Sequence, residues 1–286
     1  MTNLVTAFDK SAPRYDYLTG LNPGYHAHLK RAAAELSAQS ISHTDDSQHA
    51  TDSLERDDQI RIWDLGCGTG SSTRALVGAT PTALITGVDK SPGMLRKACK
   101  KKWPATVDFQ LGAVEDPLTF DELGHGGAPD GVFAAYVFRN IPAEKRDVSL
   151  EEVYSALRPG GRIVVHDYSV KGSLIATAIW TIVCWMIIIP LGILSGDTPG
   201  LYTYLWRSVL HNDSTDKFTQ RLRRAGFKEV STLKSRGWHR NILHTYTAVK
   251  TASKSTTFGA CAMISLKEAP WYGRRSSLNS SSSKRR

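Results

Sequence analysis

Asp64-Leu65-Gly66-Cys67-Gly68-Thr69-Gly70 constrains the fold more tightly than any other stretch of this chain. It closes an apolar run, IRIWDLG at 60–66, and opens a helical stretch at 71–78. Glycines at such a junction let the backbone turn sharply and approach a ligand closely. The first amides of the helix that follows then face whatever is bound.

Further β-rich runs recur at 83–89, 107–112, 131–138 and 162–168, with helical intervals at 71–78, 91–101 and 144–157. These runs are largely apolar on both faces, as strands of a parallel sheet covered on both sides are. After a helix at 215–224, ended by Gly226, two more strands are expected at 227–235 and 242–250. The alternation predicts a doubly wound α/β fold with a mostly parallel, seven-stranded sheet over residues 60–250. Residues 1–39 read as a lead-in over the active site, with a helix at 26–37. Residues 40–59 are polar, acidic and poor in large apolar groups, so a mobile insertion is expected there. Residues 251–286, rich in Ser, Lys and Arg, read as a disordered tail.

The formal net charge is +9, but 251–286 hold seven Lys/Arg against one Glu, leaving +3 for residues 1–250. Basicity confined to a tail argues against a nucleic-acid groove. None of the four cysteines forms a CxxC pair, and the close histidine pairs, His26/His28 and His239/His244, complete no ligand set, so no metal site is expected. Residues 1–10 lack a basic region followed by an apolar one, which makes a cytoplasmic setting the expectation.

Two details sharpen the glycine loop. Its spacing is GxGxG, not the GxGxxG of dinucleotide folds, and Asp64 precedes it. A carboxylate there can accept from a cationic amine, directly or through water, and would repel a pyrophosphate. Asp89 ends the next strand, 19 residues after Gly70, where an acid can hold both hydroxyls of a ribose. An ammonium group and a ribose without phosphate describe S-adenosylmethionine. A loop whose glycines serve packing alone, and NAD-type binding, are the alternatives.

DLGCGTG resembles the motif of class I S-adenosylmethionine-dependent methyltransferases. Further stretches resemble the ubiquinone/menaquinone biosynthesis C-methyltransferases: AFDKSAPRYDYLTGLN, VFRNIPAEKRDVSLEEVYSALRPGGRIVVHDYS, IPLGILSGDTPGLYTYLWRSVL and AGFKEV. The likeness covers roughly residues 5–250, apart from 40–59. It implies that Gly66, Gly68 and Gly70 lie under the methionine part of the cofactor and that Thr73 helps hold it. It further implies that Asp89 takes the ribose, that Ala113 and Val114 contact the adenine, and that Tyr15 folds over the site. Many relatives carry a polar residue where Ala113 stands, so adenine here would rely on backbone and packing.

Carbon methylation of a quinol ring is helped by loss of a phenolic proton to a base within reach. Ligands of such sheets bind at the carboxyl ends of the strands, which brings forward Arg139 and Asn140 after the fourth strand and His166, Asp167 and Tyr168 at the fifth. Arg139 could stabilise a phenolate. His166 and Asp167 point to opposite faces of a strand and so would not act together. Ring C-methylation of a demethylmenaquinol or prenylated quinol is the function expected. Methylation of another lipidic acceptor, at oxygen or carbon, and a noncatalytic cofactor-binding protein at a membrane are the alternatives.

Residues 172–196 carry no charge, and about 20 apolar residues suffice to cross a bilayer. A single crossing would part the last two strands from their sheet, and Pro190 should interrupt a helix here. A buried core helix, a span, and a helical cap over 172–210 that dips into the bilayer surface are the readings. The cap is the expectation: it would admit an apolar acceptor to an enzyme peripheral to the inner face of the membrane. The cluster RKACKKK at 96–102 reads as charge suited to a helix C-terminus, with anionic lipid as the other partner.

Overall fold

The computed structural model describes residues 24–37, 59–194, 199–235 and 237–251, with Val5, Thr6, Phe8, Asp9, Ser11, Ala12, Asp16 and Gly20 from the N-terminal segment. The expected insertion and tail lie outside these residues, save Gln59 and Thr251.

Seven strands form one sheet: β1 (Arg61–Leu65), β2 (Leu84–Asp89), β3 (Val107–Leu111), β4 (Gly131–Ala135), β5 (Arg162–Tyr168), β6 (Lys228–Lys234) and β7 (Leu243–Val249). Their order is β3-β2-β1-β4-β5-β7-β6. β1 to β5 run parallel, and β7 lies antiparallel between β5 and β6. The order reverses between β1 and β4, which opens a crevice at their carboxyl ends.

Alternation along each strand feeds two separate cores. Ile62, Phe133 and Val164 pack on one face with α1 (Tyr25–Ala34) and α2 (Ser71–Ala79). Trp63, Val132 and Ile163 pack on the other with α4 (Pro117–Gly124) and α5 (Arg146–Ala156). The helix between them in sequence, α3 (Pro92–Cys99), starts on Ser91, whose hydroxyl accepts from the Met94 amide at 3.1 Å. This is an N-cap with proline at the first helical position.

The fourth strand stops at Ala135, short of the expected 138. Tyr136 takes a left-handed φ of 62°, a conformation uncommon for a non-glycine residue, and turns the chain into a 3-10 turn at Phe138–Asn140.

The apolar run is helical throughout: α6 (Leu174–Val183), a π-helical turn at Cys184–Ile188 and α7 (Ile189–Leu194). Pro190 does not break it. The Ile189 amide donates to the Cys184 carbonyl, five residues back, so the wider turn absorbs the place where proline would lack its bond. The helix is no core helix either, because only 22% of its most apolar window is buried. Next come α8 (Pro199–His211) and α9 (Thr215–Arg224).

Candidate active site

The crevice at the carboxyl ends of β1, β2 and β4 holds a cavity. Gly66, Gly68 and Asp89 form its floor, Ala113, Val114 and Glu115 one wall, and Tyr136, Arg139 and Asn140 another. Gly66 has φ 70° and sits against the Val137 side chain, where a Cβ would collide with it. Gly68 has φ 57° and open space above it. Its amide donates to Asp89 Oδ2 at 2.9 Å, and the Ser91 amide donates to Oδ1 at 2.8 Å. Each oxygen keeps a lone pair for a hydroxyl. Burial raises the Asp89 carboxyl above its ordinary value, against the pull of the two amides.

Asp64, Thr73 and Gly70 stand behind this floor and do not line the cavity. Asp64 is fully buried, and its Oδ2 accepts from Ser72 at 2.8 Å and Thr73 at 2.6 Å. Burial pushes its carboxyl up to about 7, with Asp89 adding to the rise. Its Oδ1 has no hydrogen-bond partner among the described residues. The Thr73 hydroxyl thus spends its one hydrogen on Asp64. Gly70, at φ 87°, begins α2 and packs under the Trp103 ring.

Arg139 lines the cavity with its guanidinium fixed from behind. Its Nη1 donates to Asp167 Oδ1 and its backbone amide to Asp167 Oδ2, both at 2.9 Å. The guanidinium lies 5.5 Å from the Tyr136 ring centre and 5.7 Å from that of Tyr168. Asp167 is 2% exposed and also accepts from the Tyr168 amide, so it is no free base in the cavity. His166 points to the opposite face, as alternation requires. Its Nδ1 meets the Thr245 hydroxyl at 2.8 Å, and burial among other histidines lowers it to about 3. Tyr168 is buried in a stack between Tyr136 and Trp180. Neither His166 nor Tyr168 lines the cavity. Asn140 does, held by its Nδ2 on the Tyr136 carbonyl at 3.0 Å and by the Tyr204 hydroxyl donating to its Oδ1 at 3.3 Å.

The N-terminal segment closes the crevice. Val5 and Phe8 line the cavity. Asp9 Oδ1 accepts from Ser91 Oγ at 2.6 Å and the Gly93 amide at 2.7 Å, at the start of α3. Asp16 accepts from Thr69 and pairs with Lys101 at 2.9 Å, while Lys97 donates to the Ala12 carbonyl at 2.8 Å. Two of the basic cluster's lysines thus hold this segment down, a use that neither the helix dipole nor lipid contact anticipated. Tyr15 lies outside the described residues. Asp9, Asp16 and Tyr204 were missed, although each falls inside a stretch that carried the family likeness.

Residues 62–161, the strands and helices that build this crevice, match the family model for a methyltransferase domain. The chain is an S-adenosylmethionine-dependent methyltransferase. It is similar to the ubiquinone/menaquinone biosynthesis C-methyltransferase of Geotalea daltonii, 26% identical over 78% of this chain and 87% of that one. The demethylmenaquinone methyltransferase of Deinococcus radiodurans is 29% identical over 77% of this chain and 83% of its own length. Among solved structures, human N-acetylserotonin methyltransferase in complex with S-adenosylmethionine superimposes with a TM-score of 0.55 at 18% identity, covering 88% of this chain and 60% of that one. That likeness extends the class I methyltransferase fold to the whole seven-stranded sheet. The cavity suits the methyl donor: a glycine floor with room above it, and a carboxylate with free lone pairs at the end of β2.

Proposed function

We propose that this methyltransferase methylates a ring carbon of a lipid-linked quinol, of the demethylmenaquinol type or a related prenylated quinol. The observation that carries the reading is Arg139, a cation on the cavity wall, fixed by Asp167 and set against aromatic rings. Such a group suits a phenolate on an otherwise apolar ring. One relative named as a ubiquinone/menaquinone biosynthesis C-methyltransferase and another named as a demethylmenaquinone methyltransferase support the choice.

In this reading Gly66 and Gly68 pass under the methionine portion of the donor. Asp89 takes the ribose hydroxyls, and Ala113 and Val114 flank the adenine. Gly70, Asp64 and Thr73 shape the floor from behind. Bound there, S-adenosylmethionine supplies an electrophilic methyl group. The ring carbon would take the methyl, the electrons of the S–CH3 bond would stay on sulfur, and the proton given up by the quinol would pass to water. Arg139 holds the phenolate form and so raises electron density at that carbon. Asp167 is a positioning residue: it fixes the guanidinium, and Asn140 and Tyr204 fix the neighbouring wall. Phe8 and Val5 exclude water above the site. In-line transfer depends on such placement for much of its rate.

A lipid-linked acceptor also puts the enzyme at the inner face of the membrane. The reading is tested by incubating purified protein with methyl-labelled S-adenosylmethionine and a total lipid extract. Label in a quinone band is expected. Label in other lipids alone would favour the second reading, an apolar acceptor of another class methylated at oxygen or carbon.

A further inference from the structure

The helix Leu174–Leu194 is 21 residues long, and its two sides are unlike. One side rests on the domain. Ala176, Trp180, Cys184 and Ile189 are buried, and Gly192 lies so close to the Tyr202 ring of α8 that a Cβ would collide with it. The π-helical turn keeps this side in register, by spacing Cys184 and Ile189 five residues apart where four would be usual. The other side is open from end to end: Leu174, Ile175, Ile182, Met186 and Leu194 range from 61% to 90% exposed. Single exposed apolar residues are ordinary on a soluble surface, whereas a continuous row of them marks an interaction site.

We propose that this helix lies in the plane of a bilayer surface, with its exposed strip among the acyl chains of one leaflet and its buried side on the domain. Three features choose this occupant. The strip is about 30 Å of aliphatic and sulfur side chains, and residues 172–196 hold no charge. Polar groups stand at its margins, where headgroups would lie. Lys171 is exposed just ahead of the helix. Trp185 sits edge-to-face on Trp206 at 5.7 Å, and Trp206 Nε1 donates to Thr181 at 3.2 Å. Tryptophan with one polar partner and one apolar face suits the membrane–water boundary, and a lysine there can reach lipid phosphate.

A crossing is excluded by the sheet. β5 leads into the helix, and β7, which follows it in sequence, pairs with β5 from Arg162–Val249 to Tyr168–Leu243. Both ends of the helix are tied to the same side, and the domain backs it along its length.

The buried side also faces the site. Trp180 stacks on Tyr168 at 5.1 Å, Tyr168 on Tyr136 at 5.2 Å, and Tyr136 walls the cavity beside Arg139. Docking in the plane therefore sets the Arg139 end of the cavity two ring contacts from the buried side of the membrane-lying helix. This last step rests on the proposed lipid-linked acceptor, but the docking does not.

Flotation of the full chain with phosphatidylcholine vesicles, with and without phosphatidylglycerol, tests the docking. The wild type is expected to float, to bind more with the anionic lipid, and to be released by carbonate. Ile182→Lys with Met186→Lys, both on the open strip, should lower vesicle partition roughly tenfold or more. S-adenosylmethionine affinity should stay unchanged, which shows that the variant is folded. Wild type that does not float, or a variant that floats equally, overturns the proposal. Carbonate resistance would overturn the in-plane placement. A wild-type dimer that the variant splits, without flotation, would assign the strip to a second copy. Vesicle binding needs no acceptor, so its outcome is separate from that of the quinol assay.

Discussion

Arg139 and Asp167 meet twice, through the guanidinium and through the Arg139 backbone amide, each at 2.9 Å. The double contact joins the turn after β4 to the end of β5 and aims a cation into the cavity. The guanidinium cannot swing without breaking a buried ion pair whose side chains are 7% and 2% exposed.

Asp167→Asn should therefore lower kcat for the quinol with little change in S-adenosylmethionine affinity. A loss of roughly 100-fold is expected, the scale for removing one electrostatic contribution to a transition state. Steady-state kinetics with calorimetric measurement of donor binding checks both halves. An unchanged kcat would remove the positioning role.

Asp89→Ala should weaken S-adenosylmethionine binding about 10- to 100-fold, as expected for lost hydrogen bonds to a charged acceptor. The Gly68 and Ser91 amides lose their partner in the same change. Calorimetry reads the Kd directly, and wild-type affinity would move the donor away from the end of β2.

Much of the fold was legible in the sequence. Strands apolar on both faces announce a covered parallel sheet, and a glycine turn after the first strand places its crevice. The end of β4 was not legible, because nothing in Tyr136 itself announces a left-handed residue. In the site, Gly66, Gly68, Asp89, Arg139 and Asn140 came from local motif and do share one cavity. Thr73 and Asp64 stand outside that cavity, joined by a hydrogen bond that forms only when helix packs on strand. Asp9 and Asp16 were overlooked for the same reason: their partners lie at α3 and the glycine loop, far along the chain. The unbroken course of the apolar helix past Pro190 needed a π-helical turn that no residue pattern announced.

Asp64 gives the protein a pH signature. Its carboxyl is pushed from 3.8 to about 7 by burial. The folded state then binds more protons than the unfolded one between about pH 4 and 7, so this group makes stability fall as pH rises through that window. Asp64→Asn should flatten the decline in Tm between pH 5 and pH 8 by scanning calorimetry, whatever its effect at a single pH. Parallel curves for the two proteins would contradict the account.

Asp213 secures the floor of the Arg139 turn. Its carboxylate meets Arg146 at 2.9 Å and Arg221 at 2.7 Å, and Arg146 in turn donates to the Ile141 carbonyl at 3.0 Å. Burial opposes its ionisation, but Lys217, Arg146 and Arg221 hold it down at about 2. Asp213→Ala strands the buried Arg146 cation, while Arg221 keeps Asp147 as its partner, and should cost about 3–5 kcal/mol in urea unfolding. Its folded value lies below the ordinary one, so the stability it contributes is present above about pH 4 and lost as pH falls through 2. A cost under about 1 kcal/mol would show that the cluster is solvated.

The most direct test of the central claim is product analysis with one defined acceptor. Purified enzyme is given methyl-labelled S-adenosylmethionine and demethylmenaquinol held reduced in vesicles, beside the oxidised quinone. One methyl group on a ring carbon of the quinol, and none from the quinone, is the predicted result. No transfer to either form, or a methyl ether on oxygen, would contradict it.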